Sequence, residues 1–161
     1  MTMKRNVIFI LFITLTTFVS GQNYSFEEPE TPTDWIASGG DVLSVTTEHF
    51  KDGNQSLCWI TNGNNSLRVN FVSFLTNTSN GTRLQLYSPE VTNDTLIIEY
   101  YSALNLLRRK AFYLINYKGW RDFSRKYTEF STSNSSQDIV SVKFTLKRTD
   151  TKVRKIYFDK V

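Results

Sequence analysis

Beyond about residue 22, Val, Ile, Phe, Tyr and Thr fall into short runs, and polar turn clusters separate one run from the next. Such a chain is constrained to fold as many short strands, because β-branched and aromatic side chains pack well on a pleated surface. The runs are Tyr24–Glu27, Val42–Thr46, Gln55–Thr61, Leu67–Val72, Arg83–Tyr87, Thr95–Ser102, Ala111–Asn116, Asp122–Phe130, Ile139–Leu146 and Val153–Phe158. In Ser141–Leu146, Val142, Phe144 and Leu146 alternate with Ser141, Lys143 and Thr145, the period of a half-buried strand. Turn residues gather at 38–41, 51–54, 61–65 and 76–81. The most helix-like stretch is Ala103–Arg109, but Leu104, Leu106 and Leu107 do not sustain a 3.6-residue period. The pattern predicts an all-β fold, an antiparallel β-sandwich with jelly-roll topology favoured.

The first 21 residues stand apart. Lys4 and Arg5 precede an apolar stretch from Val7 to Phe18, and the small residues Ser20 and Gly21 follow. This is the arrangement of a secretory signal peptide, too short in its apolar part for a membrane span. The expected organisation is therefore a signal at 1–21 and one domain at 22–161, exported to a periplasmic or extracellular space. The whole chain has 19 Lys+Arg against 15 Asp+Glu. Both basic residues of the signal leave with it and no acid does, so the remainder carries 17 against 15 and a formal charge of +2. A balance that small gives no footing for a nucleic-acid partner.

Catalytic signatures are missing. One Cys and one His exclude a disulfide framework and a Cys/His metal cage. Cys58, in the run SLCWI, fits a buried small apolar residue, and His49, in a polar segment, fits a loop-packing role. The adjacent carboxylates Glu27 and Glu28 would point to opposite faces of a strand and could not share one reacting bond. No nucleophile elbow, P-loop or H-E-x-x-H motif occurs. The segment is expected to be non-catalytic.

The order of landmarks resembles one known family. Tyr24-Ser25-Phe26-Glu27 is followed by Pro32 and Trp35, then by Gly53-Asn54-Gln55-Ser56-Leu57-Cys58-Trp59, then by Tyr117-Lys118-Gly119-Trp120-Arg121, and the chain closes with Ile156-Tyr157-Phe158-Asp159. These blocks are similar, in order, to the N-terminal domain of the chondroitin sulfate ABC lyases. The resemblance implies a jelly-roll sandwich like those of carbohydrate-binding modules, placed ahead of catalytic domains that this chain lacks. It also implies a fragment or split product of a lyase that cleaves chondroitin or dermatan sulfate by β-elimination. The partners implied are a glycosaminoglycan polysaccharide and the catalytic domains of the same lyase. A free-standing secreted carbohydrate-binding or adhesion module is the competing expectation.

Two local sites follow. Related sandwiches hold a structural Ca²⁺ or similar hard cation where first strand, loop and last strand meet, which here selects Glu27, Asp52, Gln55 and Asp159. For sugar, Trp120 and Arg121 and the basic run Arg108, Arg109 and Lys110 are the candidates, with Arg125 and Lys126 adjoining. Trp35, Trp59, Tyr100, Tyr101 and Tyr117 are further aromatic candidates, Trp59 being expected in the core.

Overall fold

The computed structural model describes residues 26, 33–74, 81–102, 105–123, 125–126, 131–132 and 139–159. Among these every regular element is a strand: β1 (Trp35–Ala37), β2 (Val42–Thr46), β3 (Ser56–Thr61), β4 (Ser66–Phe74), β5 (Gly81–Thr82), β6 (Gln85–Thr92), β7 (Thr95–Ser102), β8 (Asn105–Tyr113), β9 (Tyr117–Asp122), β10 (Arg125–Lys126), β11 (Ser131–Thr132), β12 (Ile139–Lys147) and β13 (Arg154–Asp159). One sheet runs β1-β4-β12-β7-β8-β11, a second runs β2-β3-β13-β6-β9, and β10 pairs with β5. All pairings are antiparallel.

Consecutive strands are shared between the two layers, and the last two strands fill their centres. β12 lies between β4 and β7, and β13 lies between β3 and β6. Strands distant in sequence thus meet before the fold is complete, the return connection of a Greek-key sandwich.

The expected alternation sets the core. Val142, Phe144 and Leu146 of β12 and Leu96, Ile98 and Tyr100 of β7 face Leu57 and Trp59 of β3 and Ile156 and Phe158 of β13. Aromatic rings join the layers. Trp35 stacks on Phe144 at 6.1 Å, tilts against Phe158 at 5.8 Å and takes the edge of Phe26 at 5.3 Å. Such offset and edge contacts add to area burial. Trp59 is fully buried, as expected, and its indole N–H donates to Asp41 Oδ2 at 2.7 Å. Cys58 is also buried and free of any disulfide.

The strand pattern differs from expectation at β8, β9 and β1, and the two-residue β5 and β11 were not expected either. The strand expected at 111–116 starts earlier, at Asn105, and ends at Tyr113; the stretch that looked most helical is therefore strand. A register shift between Tyr100 and Tyr101 leaves Leu107 without a cross-strand partner between Leu106 and Arg108, an extra core-facing residue that breaks the period-2 pattern. β9 was not expected because Gly119, at φ +87°, interrupts its alternation next to a second register shift between Ser88 and Thr92. Only three residues long, β1 is too short to announce itself. Of the run Tyr24–Glu27 only Phe26 is among the described residues; of the Asp122–Phe130 run 124 and 127–130 lie outside them, and in place of one strand Asp122 closes β9, Phe123 lies in no strand and Arg125–Lys126 form β10.

Candidate carbohydrate and cation sites

Strand alternation divides the basic run. In the β7–β8 register Arg108 lies opposite Tyr100, Arg109 opposite Glu99 and Lys110 opposite Ile98. Tyr100 and Ile98 face the core, so Arg108 and Lys110 share their side of the sheet while Arg109 points outward. Arg109 Nε lies 3.4 Å from Glu99 Oε1. The three neighbours in sequence therefore serve two different surfaces.

Lys110 joins Arg121 and Arg125 around the open edge between β8 and β9. Lys110 Nζ and Arg125 Cζ lie 5.8 and 5.9 Å from the centroid of the Phe112 ring, and Arg121 Cζ lies 5.9 Å from that of Phe123. Phe112 and Phe123 meet edge to face at 5.4 Å. A groove of about 380 Å³ is lined here by Ala111, Phe112, Tyr113, Arg121, Asp122, Phe123 and Arg125. Aromatic faces ringed by cations suit the apolar face and the acidic groups of a charged sugar.

Trp120 points the other way. It pairs with Tyr87 across β6–β9 on the outer face of the five-stranded sheet, 5.2 Å from the Tyr87 ring. His49 lies over the same face, 4.4 Å from Tyr87 and 4.9 Å from Tyr157. Its loop-packing role is as expected. Burial first, and then the hydrogen bond that it donates to Glu48, push the Tyr157 hydroxyl far above its usual range. The same bond, seconded by Lys155, holds Glu48 below the usual carboxylate range. A tyrosine so held is no base near neutrality. Of the remaining aromatic candidates, Trp35, Trp59, Tyr100 and Tyr117 are buried and unavailable for stacking on a sugar; Tyr101 is half-buried on the outer face of the six-stranded sheet.

The cation candidates partly converge. Asp159 is fully buried at the end of β13, and its Oδ2 accepts the backbone N–H groups of Lys51 and Asp52 at 2.7 and 2.8 Å. The last strand thereby pins the loop that runs from β2 to β3. Its other oxygen, Oδ1, is buried with no hydrogen-bond partner among the described residues, and so is Oε1 of Gln85. Gln85 sits directly across the β6–β13 register from Asp159. Two adjacent buried oxygens, acceptors only, are the donor chemistry that a hard cation takes. Gln85 had not been singled out, because only strand pairing brings it beside Asp159. Asp52 is exposed, Gln55 is half-buried and Glu27 lies outside the described residues. No group of three His, Cys, Asp or Glu side chains placed to hold a metal occurs among the described residues.

The family model described as "Lyase, N terminal" matches residues 20–161. The chain belongs to this lyase N-terminal family. No curated protein matches it. Solved structures similar to this lyase N-terminal domain include a family 11 carbohydrate-binding module from Clostridium thermocellum, in complex with a β-1,3-1,4-mixed-linked tetrasaccharide. The TM-score is 0.56 at 10% identity, over 81% of this chain and 88% of that one. The CBM22-1 xylan-binding domain of Xyn10C from Paenibacillus barcinonensis gives 0.53 at 19% identity, over 86% and 90%. The arabinose-bound MgGH51 α-L-arabinofuranosidase gives 0.60 at 13% identity; the match spans 79% of this chain but 22% of that enzyme. At these identities the likeness is one of fold: an all-β sandwich like those of carbohydrate-binding modules.

Proposed function

We propose that this chain is the carbohydrate-binding N-terminal domain of an exported polysaccharide lyase, acting on a glycosaminoglycan of the chondroitin or dermatan sulfate type. Bond cleavage by β-elimination belongs, in this reading, to other domains of the same protein. The observation that carries it is the lyase N-terminal match across residues 20–161. Two similar modules are named for oligosaccharide or xylan binding, which supports a sugar ligand for this sandwich. The cation-ringed edge groove supports an acidic one. Against catalysis by this segment stands the lone imidazole, His49, packed between two tyrosine rings.

The reading includes a structural Ca²⁺ or similar hard cation. Asp159 Oδ1 and Gln85 Oε1 would hold it, with Asp52, Gln55 and Glu27 as further oxygen donors. Its chemistry there is charge neutralisation and cross-linking, tying the last strand to the β2–β3 loop.

The test combines two readouts on one sample. The protein is expected to be retarded in native gels containing chondroitin sulfate and to leave the ultraviolet absorbance of unsaturated uronate at background. Retardation accompanied by rising absorbance would place the chemistry in this chain. Absence of retardation by any polysaccharide would end the binding role.

A further inference from the structure

The outer face of the six-stranded sheet breaks a rule of sheet stability. In the β4–β12 register Arg68 lies directly opposite Lys143, and like charges placed so are destabilising. The same row continues to Glu99 on β7 and Arg109 on β8. Among the described residues of this row one carboxylate therefore meets three cations. Glu99 serves two of them, Lys143 Nζ at 3.0 Å and Arg109 at 3.4 Å. Burial alone would lower the Lys143 pKa, but Glu99 outweighs it and keeps the ammonium firmly charged. Arg68 lies instead over the Tyr101 ring, 4.9 Å from its centroid, with Lys143 at 5.7 Å from the same centroid. Beside Lys143 on this face, the hydroxyls of Ser141 and Thr145 have no hydrogen-bond partner among the described residues. From Arg68 to Arg109 the row crosses three strand spacings, about 14 Å.

A surplus of positive charge kept on one face against local stability points to a ligand that neutralises it. We propose that this face binds the uronic acid carboxylates of an acidic polysaccharide, with Arg68 and Lys143 as the carboxylate pair and Tyr101 as the surface beneath the sugar. This deepens the carbohydrate-binding reading and rests on it. The guanidinium of Arg68 supplies the planar fork that a carboxylate accepts in bidentate fashion, and bringing the anion between the two cations removes their repulsion. The opposite face of the sandwich is less suited, because His49 and its loop lie over Tyr87 and Tyr157.

The experiment is affinity electrophoresis of the full chain in gels of hyaluronan (uronate without sulfate), chondroitin sulfate and mixed-linkage β-glucan (neutral). Arg68→Ala, Arg68→Lys, Trp120→Ala and Arg121→Ala are run beside the parent, with folding checked by circular dichroism. The parent is expected to be retarded by both acidic polymers and not by the glucan. Arg68→Ala should weaken that retardation by about tenfold or more, and Arg68→Lys should recover part of it, the sizes expected for a charge-assisted bidentate contact. Trp120→Ala should change little, and Arg121→Ala, in the edge groove, should weaken it less than Arg68→Ala does. A folded Arg68→Ala protein of parental affinity would overturn the proposal. So would a loss in Trp120→Ala, or a loss in Arg121→Ala larger than that in Arg68→Ala, which would leave polysaccharide binding intact but locate it elsewhere. Retardation by chondroitin sulfate without hyaluronan would overturn the carboxylate assignment, and equal retardation by the glucan would overturn the acidic class. No retardation by any of the three would end this proposal and the carbohydrate-binding reading together.

Discussion

At the scale of single residues, the most consequential ion pair is also the most deeply buried among the described residues. Asp94 is fully buried, and its carboxylate accepts Arg154 Nε at 2.8 Å and the backbone N–H and hydroxyl of Thr149 at 2.9 and 3.2 Å. Arg154 is itself 5% exposed and gives a second bond, from Nη2, to Asp150 at 2.9 Å. Together they lock the β6–β7 turn to the β12–β13 loop. Removing one partner strands the other, so Asp94→Asn should destabilise the protein by about 3–5 kcal/mol in urea titrations. A loss below about 1 kcal/mol would show the pair to be poorly coupled. Burial by itself would raise the Asp94 pKa, but hydrogen bonds from Thr92, Arg154 and Thr149 outweigh it and hold the carboxyl below its usual range. Asp150 is likewise lowered, chiefly by Arg154. Depressed native values mean that the unfolded chain takes up protons first. Their stabilisation is therefore complete above about pH 5 and lost as pH falls through the native values, below about pH 4. Urea midpoints should drop over that acid window in the parent and drop less in Asp94→Asn.

Among elements, the β2–β3 connection depends most on something outside itself. Bonds to the last strand anchor it: Lys51 and Asp52 N–H donate to Asp159 and Tyr157 donates to Glu48, while His49 packs on the Tyr87 and Tyr157 rings and Ser56 Oγ donates to the carbonyl of His49. With Asp159 Oδ1 and Gln85 Oε1 buried beneath it and unpartnered among the described residues, a bound cation should stabilise the chain markedly. Calcium at about a hundred times its dissociation constant would contribute about 2.7 kcal/mol, hence a rise of several degrees in melting temperature. Chelation should reverse the rise in the parent and leave Asp159→Asn unmoved; a parent indifferent to both chelator and calcium would remove the cation from the account. The same connection shows where sequence reading reaches its limit. Alternation in Ser141–Leu146 already turns Lys143 outward and Phe144 inward, so the core face of β12 was legible. What alternation cannot supply is which strand lies next to which. Arg68 opposite Lys143 and Gln85 opposite Asp159 exist only through pairings between strands dozens of residues apart. Arg108, Arg109 and Lys110 look like one patch in sequence and are split by the pleat into two. The bulges near Tyr101 and Gly119 add or twist a residue and so hid β8's start and the whole of β9.

For the molecule as a whole, one core serves both sheets. Phe144 of one layer lies 5.7 Å from Phe158 of the other, and both pack on Trp35. Phe144→Ala should cost about 3–5 kcal/mol, and tryptophan fluorescence and far-ultraviolet circular dichroism should still report one shared transition. Separate transitions would mean that the layers unfold independently and that neither is a rigid platform for the other's surface. Rigidity matters because the two outer faces differ: one is overlain by the His49 loop, while the other presents Arg68, Lys143 and Arg109 around a single acid. Lys143 is 27% and Arg109 52% exposed at the side chain, so attraction of a polyanion to this face passes partly through water and is open to screening. Lys143 and Arg109, as exposed charge contacts, each contribute about 0.2–1 kcal/mol at low salt beside the larger bidentate contact of Arg68. The three weakened together predict that raising sodium chloride from about 50 to 500 mM loosens hyaluronan binding by roughly tenfold. A salt-insensitive affinity would mean that stacking and neutral hydrogen bonds, rather than the cation row, hold the polymer.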